Sequence, residues 1–335
     1  MNILGISHPN SGCGYHRVCL PMGYMDNIEG VISNYPTEEM LSKNYDILLF
    51  NRISLWDNNL IAIRDALGCK VVCDMDDDWI LPSNHLNFHQ YKEMAGRIEN
   101  NLLMADLVTC TNERLAERIY PFNKTVTIFP NALPFGQGQF LPDKKEDDLI
   151  RIFWAGGCTH EHDLELLKYP IQRLMQSRHK IKMVLGGYTD DDASRPIWDK
   201  MLNHFTASKR LQFDAYAGMR PTEYMEIYEN ADIMLVPLVA NEWSKCKSNL
   251  KLLEASVKNI PVICSKVEPY SMDADAPVLW VEKQSDWYKH LNFLINNDKA
   301  RQDFGEALGE WGRKKYNLFD INPRRRATFE SITKA

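Results

Sequence analysis

The chain has no apolar run approaching the roughly 20 residues that a bilayer-spanning helix requires, so no transmembrane segment is expected. Its first strand-like run, MNILGI, lacks a basic flank and a small-residue cleavage site, and the location is expected to be cytoplasmic. CxxC spacing is absent although there are 8 cysteines, which argues against a zinc site. Cys73, Cys110 and Cys264 lie in or beside apolar runs and are expected as buried thiols in a reducing compartment. A positive excess is also missing. The 39 Lys and Arg against 45 Asp and Glu give a net charge of −6, which argues against a surface coated for nonspecific nucleic-acid binding. Two basic clusters, RKK at 313–315 and RRR at 324–326, read either as solvated helix ends or as a local basic face. Neither a short-period repeat nor a basic amphipathic helix of the kind that docks on membranes is present.

With 44% hydrophobic and 25% charged residues among 335, the chain has a globular make-up and the length of two domains of about 150 residues each. Apolar runs at 1–6, 47–50, 70–73, 107–109 and 125–129 read as buried strands, with helical stretches at 60–67 and 90–104 between them. Residues 134–148 are rich in Pro, Gly and charge and read as an interdomain linker. The cycle then restarts, with strands at 150–154, 182–185, 211–213, 233–237, 261–265 and 278–281. Helices are expected at 164–176, 197–205, 221–229 and 249–258, and the chain reads as helical after 285. The expected class is α/β, two Rossmann-like domains built on parallel sheets with helices on both faces.

Residues 231–265, ADIMLVPLVANEWSKCKSNLKLLEASVKNIPVICS, read as buried strand, polar loop, short helix and buried strand. Ser248 can cap the helix, which leaves Lys247 and Lys251 near its N-terminal end. Free amides at Ser248 and Asn249, a positive dipole end and two lysines suit a phosphate. Glu254, about two turns further on at roughly 3.6 residues per turn, has the chemistry to accept hydrogen bonds from a ribose diol. The segment describes a nucleotide-diphosphate site, or else an ordinary α/β unit with a solvated glutamate.

The same order of motifs resembles the donor-binding half of GT-B glycosyltransferases, in particular the family-4-like retaining group (glycosyltransferase group 1), with a divergent donor loop. The resemblance implies two facing domains across one cleft: an acceptor domain at 1–140, onto which a helix at 317–335 packs back, and a nucleotide-sugar donor domain at 148–316. It assigns Glu254 to the ribose of the sugar nucleotide. The group often carries a second Glu eight residues earlier, where this chain has Cys246. Either Glu242 is displaced into that role or the backbone of Lys247, Ser248 and Asn249 suffices.

Other constellations fall at strand ends. In SHPNSGCGYHR, Gly12 and Gly14 mark a tight turn that either lets backbone amides approach a ligand or is purely structural, and the missing third glycine makes a weak case for a dinucleotide fingerprint. By resemblance this turn faces the donor diphosphate and acceptor, so that Gly12, Gly14, His16 and Arg17 line the cleft. His16 then becomes a catalytic candidate and Arg17 a charge partner for phosphate. Gly156 and Gly157 end the strand RIFWA, and resemblance gives their turn to the donor's phosphates or sugar. His160 is either a polar cleft residue or an exposed neighbour of the helix start. His160 and His162, two apart, would not share a helix face, so a metal pair is not expected. Resemblance also places Met219 and Arg220 beside the nucleotide base and matches Pro130-Asn131 to a strand-end PN.

CDMDDDWILPSNH contains DxD, the metal-chelating signature of GT-A enzymes. The two-domain layout weighs against that reading, because GT-B enzymes generally neutralise the leaving diphosphate with helix dipoles and cationic side chains. No obligatory metal or cofactor is expected. Four neighbouring carboxylates repel unless solvated or paired, and at least one should have a raised pKa in a dry site. Asp74 and Asp76 are candidates for acceptor contact or base, with a solvated acidic turn as the alternative.

The expected function is a glycosyltransferase, hexosyl or pentosyl, that moves a sugar from a nucleotide-diphosphate sugar to a hydroxyl of a glycan, a small molecule or DNA. Retention of configuration is implied by the resemblance alone. The alternatives are a phage-type DNA glycosyltransferase acting on a hydroxymethylated base, using the clusters at 313–315 and 324–326, and a silent nucleotide-sugar-binding protein. Tyr120 and Lys124 have the spacing of a Rossmann-type epimerase or dehydrogenase pair, but Pro121 and Asn123 between them and the strand that follows at once argue against one shared helix face, and that reading ranks low. The oligomeric state is not indicated.

Overall fold

The computed structural model of the protein describes residues 1–8, 10–33, 37–53, 60–143, 148–174, 180–206 and 212–334. The chain divides into two compact units: Met1–Pro134 with Lys245–Ser248 and Tyr316–Ala335, and Phe135–Ser244 with Asn249–Lys315.

In the first unit six parallel strands are β1 (Asn2–Ile6), β2 (Glu29–Ser33), β3 (Ile47–Asn51), β4 (Lys70–Met75), β5 (Leu107–Cys110) and β6 (Val126–Ile128), in the order β2-β1-β3-β4-β5-β6. The apolar runs are continuous because both faces of the sheet are covered, and alternate residues serve alternate faces. Leu4, Leu48, Phe50, Val71 and Cys73 pack with Ile98 and Leu102 of the Phe88–Met104 helix and Leu115 of the Glu113–Ile119 helix. Ile3, Ile47, Leu49 and Val72 pack with Val18 and Met22, which follow β1, and with Phe329 of the C-terminal Leu318–Thr333 helix. Asn322 of that helix donates to the Pro21 carbonyl at 3.0 Å.

Strand β2 carries no apolar signature in its sequence, EGVIS, because it lies at the edge of the sheet, where Ile32 is 41% exposed. The expected turn at Gly12 and Gly14 is instead the start of a helix. Ser11 caps it, accepting from the Gly14 amide at 3.0 Å, and neither glycine has a positive φ that would break it. A Cβ on Gly14 would stand 2.3 Å from Ser7 Oγ, so the second glycine permits close packing against the end of β1.

The second unit has β7 (Ile150–Ala155), β8 (Ile181–Tyr188), β9 (Gln212–Ala217), β10 (Ile233–Val236), β11 (Val262–Ser265) and β12 (Leu279–Val281), all parallel. Their order, β12-β11-β10-β7-β8-β9, is that of a doubly wound sheet whose winding reverses between β7 and β10. Trp154, Trp198 and Trp287 anchor its core.

The helix expected at 164–176 is two pieces, Glu161–Glu165 and Lys168–Leu174. Pro170 is tolerated only in a first turn, so a new helix begins just ahead of it. The stretch 221–229 yields a 3-10 helix, Tyr224–Asn230, in place of an α-helix. Its buried residues fall in two pairs three apart, Met225 with Tyr228 and Ile227 with Asn230, the period that aligns side chains on a 3-10 helix. Within the expected linker, Gly138–Phe140 forms one 3-10 turn. Residues 144–147 of that linker, 175–176 of the expected helix, 211 of the expected strand, Pro9 and Ala335 lie outside the described residues.

Cys73, Cys110 and Cys264 are buried free thiols. Among the described residues no helix is long and apolar enough to cross a membrane. The Leu250–Val257 helix is crossed by the Asp298–Lys315 helix at Gly305, Gly309 and Gly312, where a Cβ on Gly305 would stand 2.1 Å from the Asn259 carbonyl oxygen. Gly305→Ala, which in an open helix gains about 1 kcal/mol, is therefore expected to lose about 1–3 kcal/mol in urea unfolding. A variant as stable as the wild type would show that the crossing relaxes freely.

Candidate functional site

In the second unit the candidates gather where the winding reverses, the crevice at which doubly wound sheets bind ligands. Gly156 and Gly157 follow β7 directly, and the Gly156 amide donates to the Gly186 carbonyl at 3.0 Å. Lys251, in the first turn of the Leu250–Val257 helix, donates through Nζ to the Ala155 carbonyl and so brings its charge to the end of β7. His160 Nδ1 lies 2.7 Å from Asp163 Oδ2, while Asp163 Oδ1 accepts from the Val239 amide at 2.7 Å. One carboxylate therefore ties the segment after β7 to the segment after β10.

Glu254 is 3% exposed on the same short helix, and Tyr228 of the 3-10 helix donates its hydroxyl to Glu254 Oε2. Burial pushes the Glu254 carboxyl above the usual range, while Lys251 and the Tyr228 hydrogen bond pull it down. Tyr224 lies edge-on to Tyr228 at 5.7 Å. Asn249 is the N-cap but makes no side-chain cap bond; its amide donates instead to Asp273 at 2.6 Å. Ser248, expected as the cap, has its hydroxyl accepting from Asn131 at 2.9 Å.

Lys247 and Ser248 pack with the first unit. Asn112 donates to the Lys247 carbonyl at 2.7 Å, and Lys247 Nζ lies 3.7 Å from Asp77. Cys246 is buried in the first unit's core at 3% exposure. A carboxylate at that position would be desolvated, which accounts physically for the thiol. Glu242, the proposed substitute, is exposed.

In the first unit all four aspartates of the DxD run have cationic partners. Asp74 is held in a two-pronged pair by Arg17 at 2.9 Å, Asp76 by Arg52 at 3.1 Å, Asp77 by Lys247, and Asp78 by Arg118 at 3.0 Å. Arg17 is not the open phosphate partner expected of it. It is 2% exposed, and its remaining nitrogen donates to Phe129 O and Asn131 Oδ1. Burial raises Asp77, helped by Asp76 and opposed by Lys247. Burial also pushes Asp76 upward, but Arg52 with hydrogen bonds from Cys13 and Asn51 outweighs it and leaves the carboxyl below its usual range. Desolvation and the neighbouring Arg17 push His16 down to about 4, so it is neutral and weakly basic at physiological pH. Gly12 is exposed, with open space where a Cβ would stand. No group of three or more His, Cys, Asp or Glu among the described residues is arranged to hold a metal ion.

No protein-family model and no curated protein sequence matches the chain. Solved structures do match its fold. HepE from Anabaena, solved with UDP-glucose, is similar at a TM-score of 0.65 and 12% identity over 99% of this chain and 100% of that one. Sucrose-phosphate synthase from Thermosynechococcus elongatus is similar at 0.66 and 12% identity, over 99% and 98%. TarM is similar at 0.61 and 12% identity over 84% of this chain, which spans 54% of TarM's length. The chain has the GT-B fold.

At 12% identity the likeness establishes the GT-B architecture, and the chemistry rests on this chain's own residues. The basic clusters are divided: Arg313, Lys314 and Arg324 are exposed, and the others are paired or buried. Lys315 pairs with Asp273 and Asp275 at 2.8 and 2.9 Å, Arg326 pairs with Glu330, and Arg325 is 4% exposed, 5.0 Å from the centre of the Phe129 ring. Burial and the nearby Arg17 lower Arg325 to about 9, against a pull from Asp74. Sequence reasoning missed Tyr228, Asn51 and Arg52. Asn51 ends β3 and Arg52 follows it, and strand ends of a doubly wound sheet are a readable signal; Tyr228 has none.

Asp74→Asn leaves Arg17 buried without its counter-charge and is expected to cost about 3–5 kcal/mol in denaturant unfolding. Wild-type stability with lost turnover would instead mark Asp74 as a chemical group.

Proposed function

We propose that the protein is a glycosyltransferase whose second unit binds a nucleoside-diphosphate sugar and whose product is a glycosylated hydroxyl, by transfer of a hexose or a pentose. The observation that carries this reading is the buried Glu254, oriented by Tyr228, on a helix whose first turn also delivers Lys251 to the end of β7. A carboxylate so placed suits a ribose diol, and a lysine at a helix start beside a glycine turn suits a diphosphate. The fold shared with HepE, solved with UDP-glucose, supports the same reading.

In this mechanism Glu254 accepts from both ribose hydroxyls. Lys251, with the positive end of its helix and the Gly156-Gly157 turn, neutralises charge that grows on the leaving diphosphate. Lys247 and Ser248 stand just ahead of that helix in the chain, and His160 orients the segment after β7 through Asp163. The reading assigns charge neutralisation to these groups without a resident metal, and retention of configuration follows from the sequence resemblance. Asp76 and His16 belong to the acceptor side of the reading. A second reading, donor binding without turnover, is favoured by the thiol at Cys246.

Thermal shifts with UDP, GDP, ADP and CDP and their sugars are expected to single out one nucleotide, with the shift lost in Glu254→Gln. No shift with any of them would overturn the donor reading, and a shift without transfer or hydrolysis would select the silent binder. Because the folded pKa of Glu254 is raised, its carboxylate is lost as pH falls through a value above the usual 4.5. Donor affinity is expected to fall with it. Tyr228→Phe removes a hydrogen bond that favours the carboxylate, so the midpoint should move upward in pH; an unmoved midpoint would detach Tyr228 from the site.

A further inference from the structure

The first unit has its own reversal of winding, between β1 and β3, and a cavity of about 540 Å³ opens there. His8, Asn51, Arg52, Gln90, Tyr91 and Arg97 line it, and no aspartate or glutamate is among the described lining residues. The wall is therefore rich in hydrogen-bond donors, with two guanidinium groups, and poor in the carboxylates that commonly accept from neutral sugar hydroxyls.

Arg52 has φ +60, in the left-handed region, where the other positive-φ non-glycine residues described are asparagines, Asn27 and Asn259. An arginine persists there only if its surroundings hold it. Its amide donates to the Asp74 carbonyl at 2.8 Å, and its carbonyl accepts from Asn101 at 3.1 Å. The side chain is fixed by Asp76 at 3.1 Å and by the Tyr91 hydroxyl, while Asn51 donates to the same Asp76 at 3.0 Å. A strained backbone thus fixes at the cavity wall a guanidinium whose Nε and Nη1 are held by Asp76, Asn51 and Tyr91, and Arg97 supplies a second guanidinium from the Phe88–Met104 helix. Guanidinium groups match phosphate and carboxylate groups.

We propose that this cavity holds the ionised group, phosphate or carboxylate, of an anionic sugar acceptor. The word acceptor rests on the glycosyl-transfer reading; the anion site rests on the cavity. Asp76 is then a positioning residue, acting through Arg52 and Asn51.

The test is calorimetric titration of the full chain at low salt with glucose 6-phosphate, glucuronate and glucose. Binding of either anion at least tenfold tighter than glucose, weakened by added KCl and at least tenfold by Arg97→Gln, is the expected result, and the tighter anion identifies the group. Equal binding of glucose and both anions overturns it, as does binding of none. So do Arg97→Gln and Tyr91→Phe variants that fold and bind the anion as the wild type does. Complete displacement of the anion by UDP would give the cavity to the donor's diphosphate and overturn the acceptor assignment. Loss of the anion signal with nucleotide binding intact removes this inference alone; loss of nucleotide binding with the anion signal intact removes the donor reading alone.

Discussion

Asp74 accepts from two nitrogens of Arg17, from Thr109 at 2.6 Å and from Asn51 at 3.2 Å, and through Arg17 it reaches Phe129 and Asn131. One carboxylate thereby joins the helix after β1 to β3, β4, β5 and the end of β6. A buried pair of this kind is favourable only when every lone pair and proton is satisfied, so the five elements must arrive together. Ser248 extends the chain of hydrogen bonds through Asn131. The candidate residues of the first unit are thus arranged around a charge already neutralised, which leaves Arg52, held from behind by Asp76, at the cavity wall.

The acidic run after β4 illustrates the same constraint. Four carboxylates in five residues would be untenable in a dry place, and the fold supplies one cation to each from separate parts of the chain. A sequence motif that invites a divalent ion is here a set of ion pairs. The inequality among its members, with Asp77 pushed up and Asp76 held down, comes from the different reach of Lys247 and Arg52.

Much of the architecture was readable because parallel strands covered on both faces must be continuous apolar runs; β1, β3, β4, β5, β7, β10 and β11 all follow from this. The edge strand β2 did not, since one exposed face needs no such run. The segment 231–265 was visible in outline, including a helix that carries Glu254, about one turn beyond its start at Leu250. What escaped was pairing at long range. Nothing near Arg17 in sequence names Asp74, and nothing near Glu254 names Tyr228. Ser248 looked like a cap because local chemistry allows it, yet Asn131 claims its hydroxyl across the fold.

The brief excursion of Lys245–Ser248 into the first unit has a consequence for the order in which the molecule is made. Residues 1–134 leave the ribosome without Cys246, which completes their core, and without Phe329, which closes the other face of their sheet. The second unit, from 135 to 315, has all its parts sooner. Of the two units, the one whose residues come earlier in the chain is therefore completed later, and its sheet waits, with one face open, for the Leu318–Thr333 helix to emerge.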